Sequence, residues 1–106
     1  MRSPGGSPTP AAPDAESGPR VVMYSLSGCP YCFRARRRLR RKGVAFREIR
    51  FGFRERRTGR GVLARLGGAT FPQILIDGTR LGGNAELVRA DRSGELDQLL
   101  RAPYAT

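Results

Sequence analysis

The chain has two cysteines, set two residues apart in Cys29-Pro30-Tyr31-Cys32. Just before them, Arg20-Val21-Val22-Met23-Tyr24-Ser25 is rich in β-branched and aromatic residues and predicts a strand. Just after them, Tyr31 to Lys42 predicts a helix, with Cys32, Ala35 and Leu39 at i, i+3 and i+7 on one side. The pair therefore stands where a strand passes into a helix. Unpaired backbone N–H groups and the macrodipole favour negative charge at such a start. Pro30 fits the first turn because its missing N–H costs no hydrogen bond there. The thiolate is the attacking form of a thiol, so Cys29 is the candidate nucleophile. Cys32, one turn further in, is expected to be more buried and to act as the resolving thiol.

Three blander roles compete. A structural disulfide across so short a loop removes little entropy from the unfolded chain. A structural zinc ion needs four ligands, and two cysteines without a histidine do not supply the usual set, so no metal site is expected. Two buried thiols acting only as small hydrophobes remain possible on packing grounds.

The net charge of +11, with a pI near 11.4, comes from arginine almost to the exclusion of lysine. Such a balance invites a nucleic-acid reading. The densest run, Arg34 to Lys42, holds seven basic residues but shares its helix with the apolar Ala35 and Leu39. It therefore reads as the solvated face of an amphipathic helix. No stacking-aromatic motif accompanies it, and nucleic acid is not the expected partner. The field would favour a thiolate and attract anionic substrates.

Met1 to Pro19 holds five prolines, three glycines and three serines and almost nothing apolar beyond alanine. It cannot bury enough surface to offset its ordering entropy, so residues 1–19 are expected to be disordered and residues 20–103 to form the domain. No secretory signal or stretch of membrane-spanning length is visible. The expected setting is the cytoplasm, without membrane attachment, where a reducing pool keeps such pairs catalytic.

Val44 to Phe51 predicts a second strand, parallel to the first across a right-handed crossover. Glu55 to Leu66 predicts a helix with Val62, Leu63 and Leu66 inward. Gly59 and Gly61 weaken it, so a start near Thr58, as N-cap, is the alternative. Gln73 to Ile76 reads as a buried strand, Asp77-Gly78 as a hairpin turn and Thr79 to Leu81 as the returning strand. A helix from Asn84, as N-cap, to Ala90 follows, then a short one from Gly94 to Leu100 burying Leu96, Leu99 and Leu100. The order β-α-β-α-β-β-α plus a short C-terminal helix gives an α/β fold, a four-stranded mixed sheet flanked by helices.

With three ordered motifs, Cys29-Pro30-Tyr31-Cys32, Thr70-Phe71-Pro72-Gln73 and Gly82-Gly83-Asn84, the chain from about Arg20 to Arg101 resembles a glutaredoxin of the dithiol type. The resemblance implies the thioredoxin-like fold and glutathione-dependent thiol–disulfide exchange, on glutathione mixed disulfides and protein disulfides. It implies glutathione as co-substrate, no tightly bound cofactor, and a monomer working on glutathionylated or disulfide-containing proteins. It also implies that Pro72 is cis, setting the Phe71 backbone beside Cys29 to pair with the cysteinyl part of glutathione. Thr70 belongs to that loop, Tyr31 would flank the tripeptide, and Gly83 and Asn84 would offer N–H groups to its γ-glutamyl carboxylate.

The chain departs from its relatives at Leu26, where many carry lysine, at Ala85, and at Phe71, the bulkier centre of a Thr-x-Pro triplet. Arg57 or Arg60 is the candidate to pair the glycyl carboxylate in the absent lysine's stead. The resemblance leaves two rivals. One is a redoxin reduced by thioredoxin reductase or another low-molecular-weight thiol. The other is an iron–sulfur cluster carrier in which two chains each give Cys29, against which the rigid Pro30 argues by analogy.

Overall fold

The structure, a computed structural model, describes residues 20–101. The segment expected to be disordered, residues 1–19, and the last two residues of the expected domain lie outside the described residues. The elements run β1 (Val21–Leu26), α1 (Pro30–Arg41), β2 (Phe46–Phe51), a 3-10 turn (Phe53–Glu55), α2 (Arg56–Arg65), β3 (Gln73–Ile76), β4 (Thr79–Gly82), α3 (Asn84–Ser93) and α4 (Glu95–Arg101). The four strands lie in the order β2-β1-β3-β4, with β1 and β2 parallel and β3 antiparallel to both of its neighbours. This is the mixed sheet the sequence predicts.

The alternation of β1 sends Val21, Met23 and Ser25 inward, all buried, and leaves Val22, Tyr24 and Leu26 half-buried on the other face. The inward side chains meet Ala35 and Leu39 of α1, Ile74 and Ile76 of β3, Leu87 and Ala90 of α3 and Leu96 of α4 in one core. α2 covers the opposite face, where Gly59 is buried against the Phe51 ring. A Cβ on Gly59 would stand 3.0 Å from Phe51 Cγ, so the glycine that weakens the helix is what lets it approach the sheet. Asp77 and Gly78, at φ 53° and 82°, make the tight hairpin turn between β3 and β4.

Several boundaries differ from expectation, each for a tertiary or capping reason. β2 begins at Phe46 because the Val44 N–H is taken by the Leu39 carbonyl, closing the end of α1 at 3.0 Å. α2 begins at Arg56 and Thr58 lies inside it, since the preceding 3-10 turn has already wound the chain and Glu55 Oε1 accepts from the Gly52 N–H at 2.8 Å. Of its three expected inward residues only Leu63 is buried; Val62 and Leu66 are half-buried. α3 is capped by Gly83, not by Asn84, because Glu86 reaches back to the Gly83 N–H at 2.8 Å. It continues past Ala90 to Ser93. In α4 Leu96 is buried and Leu100 packs on the core, but Leu99 is 36% exposed. Leu96 and Leu100 stand one turn apart on one side, and Leu99 is rotated by about 100° from Leu100 towards the rim.

Part of the charge is structural. Arg20 forks onto Asp77 at 2.7 and 2.5 Å. Arg38 and Lys42 at the end of α1 both engage Asp91 of α3, and Lys42 reaches Asp97 of α4 at 3.1 Å. No helix among the described residues is long and apolar enough to cross a membrane.

Candidate active site

Cys29 is the N-cap of α1, with extended backbone and a half-exposed side chain, and both cysteines are free thiols. Its sulfur accepts a hydrogen bond from the Cys32 N–H at 3.3 Å, so an orphan amide of the first turn points at the sulfur of a half-buried residue. Cys32 is 1% exposed, and burial first, then the neighbouring Cys29, pushes its thiol up to about 12. The nearby Arg36 charge opposes part of that rise. One thiol is offered to solvent and the other is held back protonated.

The Phe71–Pro72 bond is cis, as expected, and the Phe71 carbonyl oxygen lies 3.7 Å from Cys29 Sγ. The Phe71 ring packs against Phe51 at 6.1 Å. Gln73, 3% exposed, donates from its amide nitrogen to the Thr70 carbonyl at 2.7 Å and accepts from Arg80 at 3.3 Å, which ties the proline loop to the first residue of β3. Thr70 itself is exposed. Gly83 abuts the same loop: a Cβ there would lie 3.1 Å from the Pro72 carbonyl oxygen. The start of α3 and the cis-proline loop therefore form one surface. The Gly83 N–H on it is already donated to Glu86, whereas the first-turn amides of Asn84 and Ala85 have no acceptor within the helix. Tyr31 is 54% exposed, with the Arg34 guanidinium 5.4 Å from the ring centroid.

A cleft of about 400 Å³ opens beside Cys29, walled by Leu26, Phe33, Arg36 and Arg50 among others. Arg57 and Arg60 are exposed on α2 and do not line it. Behind its wall lies a cluster that sequence reasoning missed. Ser25 donates to Glu48 at 2.6 Å, and Arg36 forks onto the same carboxylate at 2.9 and 2.6 Å. Arg50 adds a longer contact at 3.3 Å. One signal was available: Ser25 is a polar residue at an inward position of β1.

The Arg36 fork, helped by Ser25, holds the Glu48 carboxyl down at about 2 from an ordinary 4.5. Because the folded state prefers the ionised form, this stabilisation is complete above the ordinary value and is lost as pH falls from about 4.5 towards about 2. Glu48→Gln is expected to cost about 2 kcal/mol at pH 7, the scale of hydrogen bonds to a charged group. Urea midpoints through that acid window check it: the wild type should lose ground to the variant as pH drops, and parallel curves would refute the coupling.

A half-exposed sulfur at a helix start, a buried partner thiol and a cis-proline loop beside them define a dithiol-exchange centre on a thioredoxin-like sheet. Residues 21–81 match the family model described as Glutaredoxin. A glutaredoxin of Pseudomonas aeruginosa is 46% identical over 85 residues, covering 79% of this chain and 99% of that protein. Glutaredoxin 3 of Escherichia coli K12 is 38% identical over 81 residues, covering 76% and 96%. The solution structure of a glutaredoxin from Brucella melitensis superposes with a TM-score of 0.66 at 38% identity, covering 83% of this chain and 95% of that one. The chain belongs to the glutaredoxin family, and its activity is that of a thiol–disulfide oxidoreductase.

Proposed function

We propose that this protein reduces glutathione mixed disulfides and protein disulfides with glutathione as its reductant, working in the cytoplasm as a monomer. The observation that carries the reading is the Cys29 sulfur, half-exposed, bonded by the Cys32 amide and flanked by the Phe71 carbonyl. In this scheme the Cys29 thiolate attacks the sulfur of a glutathionylated substrate. The substrate leaves as a thiol, taking a proton from solvent, and glutathione stays on Cys29. A second glutathione attacks that mixed disulfide, releasing oxidised glutathione and restoring the thiolate. With a protein disulfide, Cys32 displaces the bound substrate instead, leaving a Cys29–Cys32 disulfide that glutathione reduces. Pairs of this type poise at roughly −200 to −230 mV, within reach of a glutathione pool.

The residues of the groove take these roles. Thr70, Phe71 and Pro72 supply an extended backbone edge for the cysteinyl residue of glutathione, and Tyr31 flanks it. The γ-glutamyl carboxylate goes to the start of α3, where Gly83 sets the close approach and the amides of Asn84 and Ala85 are left to receive it, since Glu86 holds the Gly83 N–H. For the glycyl carboxylate, Arg50 in the cleft at Cys29, whose side chain is half exposed, is better placed than Arg57 or Arg60, whereas Arg36 is occupied by Glu48.

The test is turnover of a glutathionylated peptide with glutathione and glutathione reductase, run beside thioredoxin reductase and beside other small thiols. Saturable turnover with glutathione is the expected result. Turnover that runs only with the reductase or another thiol would replace glutathione in the scheme, and a coloured protein on anaerobic purification would point to the cluster carrier.

A further inference from the structure

The seven basic side chains between Arg34 and Lys42 divide into two sets. Arg36 is held by Glu48, and Arg38 and Lys42 are held by Asp91. Arg34, Arg37, Arg40 and Arg41 are exposed, and none of them has a carboxylate of the described residues within ion-pair distance. Like charges three and four residues apart on a helix repel, so the exposed set works against the helix that carries it.

The cleft at Cys29 shares Phe33 and Arg36 with a second cleft of about 410 Å³, whose other walls are Arg37, Arg40 and Arg41. The two clefts thus adjoin across Phe33 and Arg36 and together make a trough that leads from Cys29 along α1. Phe33 is 56% exposed at the junction, an apolar ring framed by guanidinium groups. Aromatic and arginine side chains are the residue types enriched where protein partners bind.

We infer that this trough docks the acidic segment of a protein disulfide substrate. The substrate's disulfide meets Cys29, carboxylates next to it in sequence meet Arg37, Arg40 and Arg41, and an apolar side chain covers Phe33. The inference rests on Cys29 as the attacking sulfur and needs no bound glutathione. The Cys29 thiolate forms a bond to one substrate sulfur, the substrate S–S bond breaks, and the leaving thiolate takes a proton from water. The Cys32 thiol then gives up its proton to solvent and attacks Cys29 Sγ. The Cys29–Cys32 bond forms, the bond from Cys29 to the substrate sulfur breaks, and that sulfur leaves as a thiolate that takes a proton from water, so the two thiols are oxidised as the disulfide is reduced. A polynucleotide would also neutralise the arginines, but it brings no disulfide to the sulfur at the trough's end, and of the clefts' lining residues only Phe33 offers a ring for stacking.

The test uses two disulfide-bearing peptides of equal length, alike except that one carries glutamates and the other lysines beside an apolar residue. The reduced full chain is mixed with each in stopped flow without glutathione, at about 20 mM and about 300 mM salt, which spans weak to strong screening. At low salt the acidic peptide should be reduced at least about tenfold faster, with the margin shrinking at high salt. The triple variant R37E/R40E/R41E should lose or reverse that preference while reducing hydroxyethyl disulfide, small and neutral, at the wild-type rate. Equal wild-type rates on the two peptides overturn the inference, as does a variant slowed equally on the small disulfide. Binding of a labelled single-stranded oligonucleotide that the variant loses, without peptide discrimination, overturns it in favour of nucleic acid. Failure of the wild type on every disulfide, the small one included, would defeat the role of Cys29 itself, a result distinct from equal rates on the two peptides.

Discussion

Cys29→Ser should lower reduction of a glutathione mixed disulfide by about a thousandfold or more, because a serine hydroxyl does not ionise near neutral pH and makes a far poorer attacking and leaving group. Cys32→Ser should keep the same activity within a few-fold. Its thiol is 1% exposed and pushed up to about 12, so it stays protonated at pH 7. The mixed-disulfide cycle does not call on it. The split should appear only with glutathione mixed disulfides. On a protein disulfide the Cys32→Ser variant should stall as a covalent adduct visible on a non-reducing gel. Equal loss in the two variants on the small substrate would sink the one-thiol step.

Leu39→Ala should cost about 3 kcal/mol, within the 2–5 kcal/mol seen when a fully buried leucine is cut back. Leu39 is 0% exposed and sits where α1 meets the sheet, with Met23 and Ile74 in the same core. A domain of this size loses about 4–8 °C of melting temperature per kcal/mol, so thermal unfolding should move down by on the order of 15 °C. Leu99→Ala is the control. With its side chain 36% exposed on α4, it should shift the midpoint by only a few degrees. Similar losses in the two variants would mean that Leu99 is buried in the core like Leu39.

Much of the fold was legible because its signals are local. The spacing of Cys32, Ala35 and Leu39 within α1, the β-branched run of β1 and the Asp77-Gly78 turn each need only a short window of chain. The bounds that moved depend on partners outside that window. Asn84 is a good N-cap by type, yet Gly83 holds the position because Glu86 folds back onto it, and the Pro72 carbonyl would crowd a Cβ there at 3.1 Å. Leu99 is as apolar as Leu96, but a short helix presents only one side to the core. The same limit hid the site's supporting shell. Arg36 and Glu48 are 12 residues apart, and Ser25 and Glu48 are 23 apart, so no window links them.

The sequence by itself determined that a dithiol would stand at a strand-to-helix turn, that the sheet would be mixed, and that a Thr-x-Pro triplet and a glycine pair would follow in order; that the proline is cis came first from the family resemblance. Only the tertiary structure decided how far burial raises the inner thiol, and which arginines are spent on Glu48 and Asp91 and which are left facing outward along α1. The reason is physical: propensity and periodicity act over a few residues, whereas burial and charge pairing are properties of groups that the chain brings together from far apart.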